Sequence, residues 1–108
     1  MMAEKLFLYQ LTLCEAYKNP ENWTDQINNI IAEHAKFMHQ LGQTGTLVLA
    51  GRTQYNIDDE RLFGIAIIKA KNMEDVQDIM KNDPGVVHGI QQASYFEFNM
   101  SMNYTQNL

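Results

Sequence analysis

A chain of 108 residues makes one domain, long enough to bury about two thirds of its unfolded surface without disulfides or metals. Thirteen acidic against eight basic residues give a formal net charge of −5, with no run of Lys or Arg to follow a phosphate backbone, which argues against nucleic acid as a partner. The lone Cys14 cannot close an intrachain disulfide, no Cys/His cluster has zinc-ligand spacing, and no stretch nears the roughly 20 apolar residues that span a bilayer; the expectation is a cytoplasmic protein with no metal, cofactor or membrane partner.

Lys5 to Leu13 (KLFLYQLTL) is bulky, apolar and short, and reads as a first strand. Leu11 to Cys14 has an outward likeness to the end of a bacterial lipoprotein signal, but Glu4 precedes it, Gln10 and Thr12 interrupt it, and Leu13 sits where a small residue belongs. The polar segment Glu15 to Asn22, with Pro20, is a loop.

A helix of about twenty residues follows, with Asn22 as its expected cap and Asp25 in its first turn. Its apolar stripe runs through Trp23, Ile27, Ile30, Ile31, Phe37, Met38 and Leu41 and stops before Gly42. His34 falls inside that stripe. An imidazole turned toward packed apolar surface is either a hydrogen-bonded structural residue or a tuned acid/base. His39 lies about 140° round the helix from it and is expected in solvent.

Thr46 to Ala50, closed by Gly51, and Leu62 to Ile68 are two further strands joined by a polar loop from Arg52 to Arg61. Asn72 precedes Met73, Val76, Ile79 and Met80 at helical spacing, with Glu74 and Asp75 in the first turn and Pro84 stopping the pattern after Asp83. Beyond the Pro84-Gly85 turn, Ser94 to Met102 alternates and reads as strand four, with Phe96, Phe98, Met100 and Met102 on one face.

The order β-α-β-β-α-β, with an apolar stripe on each helix, specifies an α+β ferredoxin-like split βαβ sandwich: one antiparallel sheet with both helices on one face. The other face is then uncovered, although strand one carries Leu6 and Leu8 there and strand three is apolar almost throughout. A second copy is the expected cover, giving a homodimer through the open sheet face.

Two segments, Glu33-His34-Ala35-Lys36-Phe37-Met38 running on to Gly45-Thr46-Leu47-Val48-Leu49-Ala50-Gly51, and Asn82-Asp83-Pro84-Gly85-Val86-Val87-His88-Gly89-Ile90, together resemble the YCII-related (YciI-like) family. The resemblance covers nearly the whole chain, from Phe7 to Phe98, and implies the dimeric α+β barrel fold. It also implies that His34 and Asp83 form a catalytic dyad beside a small-molecule cavity. The chain departs from the family pattern at Arg52, where Pro is common, and at Gly85, where an apolar side chain often follows Asp-Pro. The substrate is therefore expected to differ from those of better-studied relatives.

A base whose tautomer is fixed by a carboxylate leaves its second ring nitrogen free to move a proton, so the implied reaction is elimination, isomerisation or hydrolysis of a small organic acid without a cofactor. The residues alone leave a second reading open, a non-catalytic ligand-binding or structural dimer in which His34 and Asp83 only brace the fold. Arg52 is either the fork that holds a substrate carboxylate or a loop charge. Tyr9 and Tyr95 are candidates to lend hydroxyls to the cavity. His88 is read as a surface loop residue and Cys14 as an inert thiol at a strand end. The glycines do not form a phosphate-cradling loop.

Overall fold

The computed structural model describes residues 4–108. Four strands form one antiparallel sheet in the order β2-β3-β1-β4, with β1 at Lys5–Leu13, β2 at Leu47–Arg52, β3 at Gly64–Ala70 and β4 at Gln91–Phe98. Helices α1 (Asp25–Gln43) and α2 (Met73–Asn82) and the single-turn α3 (Pro84–Val87) are the α layer. This is the ferredoxin-like α+β arrangement expected from the element order.

Side chains on β1 alternate. Phe7, Tyr9 and Leu11 are buried under the helices with Ala66 and Ile68 of β3 and Met38 of α1. Val76 of α2, with no exposed surface, packs on Phe7 and Ala70 to extend the same core. Leu6 and Leu8 face the other way, beside Phe98 and Phe96 of β4. Among the described residues no helix lies over that second face, and Phe96 is left 52% exposed.

Several boundaries move from their sequence expectation, each for a local reason. Asn22 does not cap α1: it closes the second of two 3-10 turns, Glu15–Lys18 and Pro20–Asn22, and donates from Nδ2 to the Ala16 carbonyl. Trp23 anchors the same turns by donating from Nε1 to the Tyr17 carbonyl at 2.7 Å. The cap is Thr24, whose Oγ1 accepts from the Ile27 N–H. Strand four begins at Gln91 rather than Ser94 and ends at Phe98 rather than Met102. Its register on β1 runs from Leu13↔Gln91 to Leu6↔Phe98, so with β1 beginning at Lys5 there is little strand left beyond Phe98 to pair with. The alternation holds, and it is the Tyr95 row that faces the helices.

The register also slips between Leu47 and Leu49 of β2. A bulge of this kind turns the following side chains over. Ala50 and Arg52, paired with Ala66 and Gly64, thereby share the helix side of the sheet with Leu47, which pairs with Ile68.

Candidate functional site

The sheet and α1 part at the C-terminal ends of β1 and β2, leaving a cavity of about 620 Å³. That is the size range of small-molecule sites. Leu11 and Leu13 floor it, Trp23, Ile31 and Met38 form the helix side, and Ile57, Leu62 and Phe63 close it from the β2–β3 loop. The loop is pinned by a reciprocal pair, Thr53 N–H to the Phe63 carbonyl and Phe63 N–H to Thr53 Oγ1, both 3.0 Å. Further out, Arg61 stacks on the Tyr55 ring and donates to Asp59 at 2.8 Å, and its hydrogen bonds hold the Asp59 carboxyl down at about 2.

Two groups that can be charged stand among its walls on facing elements. His34 projects from α1, and Arg52 stands on β2 where the bulge has turned it. Among the described residues no carboxylate lines the cavity, although the chain carries a net charge of −5. Arg52 forms no ion pair among the described residues. Its guanidinium is free to meet an anion.

Asp83 lies behind His34. Its carboxyl is fully buried and takes three hydrogen bonds: from His34 Nδ1 to Oδ1 at 2.6 Å, from the Gly85 N–H to Oδ1 at 3.2 Å, and from the Tyr9 hydroxyl to Oδ2 at 2.9 Å. The chain places Asp83 between two helices, ending α2 and capping α3, with Pro84 at the first position of α3 where its missing N–H costs nothing. Both backbone turns and both side-chain partners therefore fix one carboxylate. With Nδ1 committed to Asp83 and His34 among the cavity walls, Nε2 is the ring atom left for a ligand.

The sequence-derived candidates separate on this geometry. His34 and Arg52 line the cavity, with Asp83 directly behind His34. Tyr9 and Tyr95 do not line it. Tyr9 is wholly buried on the helix side of β1, and burial first, then the Asp83 carboxylate, push its phenol well above its ordinary range, so it remains a protonated donor to Asp83. Tyr95, its partner across the strands, packs on the Phe7, Ala70 and Val76 cluster away from the cavity. His39 is exposed, as expected, yet borders the cavity. His88 is exposed and Cys14 half-buried, and neither is among the lining residues. Among the described residues there is no metal-holding group of three or more His, Cys, Asp or Glu, and no helix is long and apolar enough to cross a membrane.

Sequence reasoning misses Gln91. It lines the cavity from the start of β4, and its Oε1 is buried with no hydrogen-bond partner, a condition that costs about 1–3 kcal/mol. A polar residue at a strand start carries no pattern that marks it.

Residues 10–99 match the YCII-related domain. The chain belongs to the YCII-related domain family. Among solved structures it is similar to 5-chloro-2-hydroxyhydroquinone dehydrochlorinase (TftG) from Burkholderia phenoliruptrix, solved with 2,5-dihydroxybenzoquinone, at 18% identity and a TM-score of 0.62 over 87% of this chain and 93% of that one. It also matches SnoaB, a cofactor-independent oxygenase from Streptomyces nogalater, at 12% identity and a TM-score of 0.44 over 94% of this chain and 97% of that one. No curated protein matches the sequence. The first of these likenesses bears on the fold alone, an α+β chain with one four-stranded antiparallel sheet. It is silent on the reaction of this YCII-related chain.

Proposed function

We propose that this YCII-related protein is a cofactor-independent enzyme that moves a proton on a small organic acid, with His34 as the base and Asp83 as the group that orients it. The observation that carries the reading is the division of labour on one ring: Nδ1 is held 2.6 Å from a buried carboxylate, while the ring lines a cavity of about 620 Å³ that holds a guanidinium and no acid. An anionic ligand meets Arg52, and its acidic C–H or O–H meets Nε2. His34 takes the proton, and the imidazolium that forms is paired at once with Asp83. The electron pair released expels a leaving group in an elimination or returns to another carbon in an isomerisation. Either way the proton goes back to product or solvent, and the base is regenerated without an oxidant or reductant.

The Tyr9 hydroxyl and the Gly85 N–H keep Asp83 in place, so the pair needs no rearrangement when charge develops. The open sheet face, with Leu6, Leu8, Phe96 and Phe98, is the surface through which a second copy docks, as the barrel fold of the family suggests.

The test begins from the ligand of the structural neighbour. Chloride release is measured with 5-chloro-2-hydroxyhydroquinone and a panel of chlorinated hydroxybenzoic acids, and binding is measured with 2,5-dihydroxybenzoquinone. The wild-type chain is expected to release chloride from at least one compound, and His34→Ala to lower that rate roughly 10²- to 10⁴-fold with binding retained. An equal rate in His34→Ala refutes the base. Absence of both binding and turnover across the panel favours a cavity that only braces the fold.

A further inference from the structure

We infer that Gln91 is a substrate-binding residue of this cavity, that its carboxamide donates to an acceptor oxygen at the end of the ligand opposite Arg52, and that Gly85 is glycine in order to seat it. The inference rests on the small-molecule reading of the cavity and adds the shape of the ligand: an anion at one end, a carbonyl or ring oxygen at the other.

Three observations converge on this residue. Gln91 lines the cavity, and its Oε1 is enclosed without any hydrogen-bond partner. Its Nε2 also makes no hydrogen bond among the described residues, and it is not enclosed as Oε1 is. A carboxamide with one end walled in and the other open is a poor core residue, since Leu or Met would fill the space without stranding an acceptor. Its remaining use is a contact that forms only with a ligand.

Gly85 supplies the second observation. A Cβ built at position 85 would collide with the Gln91 carboxamide, coming within 2.9 Å of its Cδ. The backbone at Gly85 has no positive φ, so the missing side chain is a matter of space. The same residue donates its N–H to Asp83 Oδ1 at 3.2 Å. The slot that seats the carboxamide and the support of the dyad are therefore one piece of backbone.

The third observation is position. Arg52 pairs with Gly64, Gly64 with Leu11 and Leu11 with Ala93, one row across the sheet, and Gln91 is the next residue on that face of β4. Arg52 and Gln91 stand on opposite edge strands, about 14 Å apart across the sheet and about 7 Å along it, or roughly 16 Å in backbone. His34 of α1 lines the same cavity as both. A six-membered ring with oxygen groups at opposite positions suits that span once both side chains reach inward.

The test uses two ligands of one shape, 4-acetylbenzoate and 4-isopropenylbenzoate, which differ by a carbonyl oxygen in place of a methylene. Affinities are measured by calorimetry for wild type, Gln91→Met and Gly85→Ala. Wild type is expected to favour the acetyl compound roughly three- to tenfold more than Gln91→Met does, with the isopropenyl compound bound alike by both. Gly85→Ala, which displaces the carboxamide, is expected to lose the same preference, while Gln91→Met keeps or raises the melting temperature because the stranded oxygen is gone. An unchanged preference in a folded Gln91→Met variant overturns this role and leaves the cavity reading standing. Failure of wild type to bind either compound at millimolar concentration overturns both.

Discussion

At the residue scale the arrangement turns on Tyr9. It is the largest of the fully buried side chains, and its hydroxyl has one partner, Asp83 Oδ2. Tyr9→Phe is expected to cost about 1–3 kcal/mol at pH 7, because a buried carboxylate oxygen loses its donor. The pH dependence has a definite sign. Below about pH 10, the ordinary value of a phenol, Tyr9 is protonated folded or unfolded; above it the unfolded chain gives up the proton that the folded phenol keeps. The unfolded state then binds fewer protons, so stability falls as pH rises, by at most about 1.4 kcal/mol per pH unit for this one group. Urea denaturation of wild type and Tyr9→Phe between pH 9 and 11 should show a shallower decline in the variant. Equal slopes would mean that Tyr9 ionises in place. His34 is conspicuous in the sequence as an imidazole inside an apolar stripe, whereas Asp83 by itself reads only as the end of a helical pattern and is paired with His34 by the family resemblance. The sequence offers Tyr9 as a hydroxyl for the cavity, and its actual partner, Asp83, cannot be read there because 74 residues separate the two.

At the scale of elements, order and type were legible and ends were not. Periodicity marks the interior of a helix or strand, where burial repeats, whereas an end is decided by whichever nearby polar group wins the backbone. Asn22 and Thr24 show the difference. Both are good caps by residue type, and the 3-10 turns take Asn22 first. Thr24→Ala is expected to cost about 1 kcal/mol in urea denaturation, and Asn22→Ala less than half of that. Equal losses would return the cap to Asn22. The β2 bulge had the same kind of invisibility and more consequence, since a strict alternation would put Arg52 and Leu47 on opposite faces. Bulge and partner register together decide that the guanidinium belongs to the cavity.

At the scale of the whole molecule, one sheet face is closed by helices, while among the described residues no helix covers the other. Phe96 and Phe98 lie there beside Leu8 and Leu6. Phe96→Glu is expected to shift sedimentation equilibrium from dimer to monomer at micromolar concentration while the circular dichroism of the fold is kept. A wild-type chain that sediments as a monomer under the same conditions removes the dimer. The open face was legible because the element order leaves it bare and the composition makes it apolar. What the sequence hides is how far apart in the chain the parts of the site lie. The His34–Asp83 contact closes a loop of 49 residues and the Tyr9–Asp83 contact one of 74, so three stretches of chain from the beginning, middle and end of the domain must be in place before the imidazole is aimed. Local order in any one helix is insufficient. Activity should disappear in step with global unfolding rather than ahead of it, and its return during refolding would time the last long-range contacts to close.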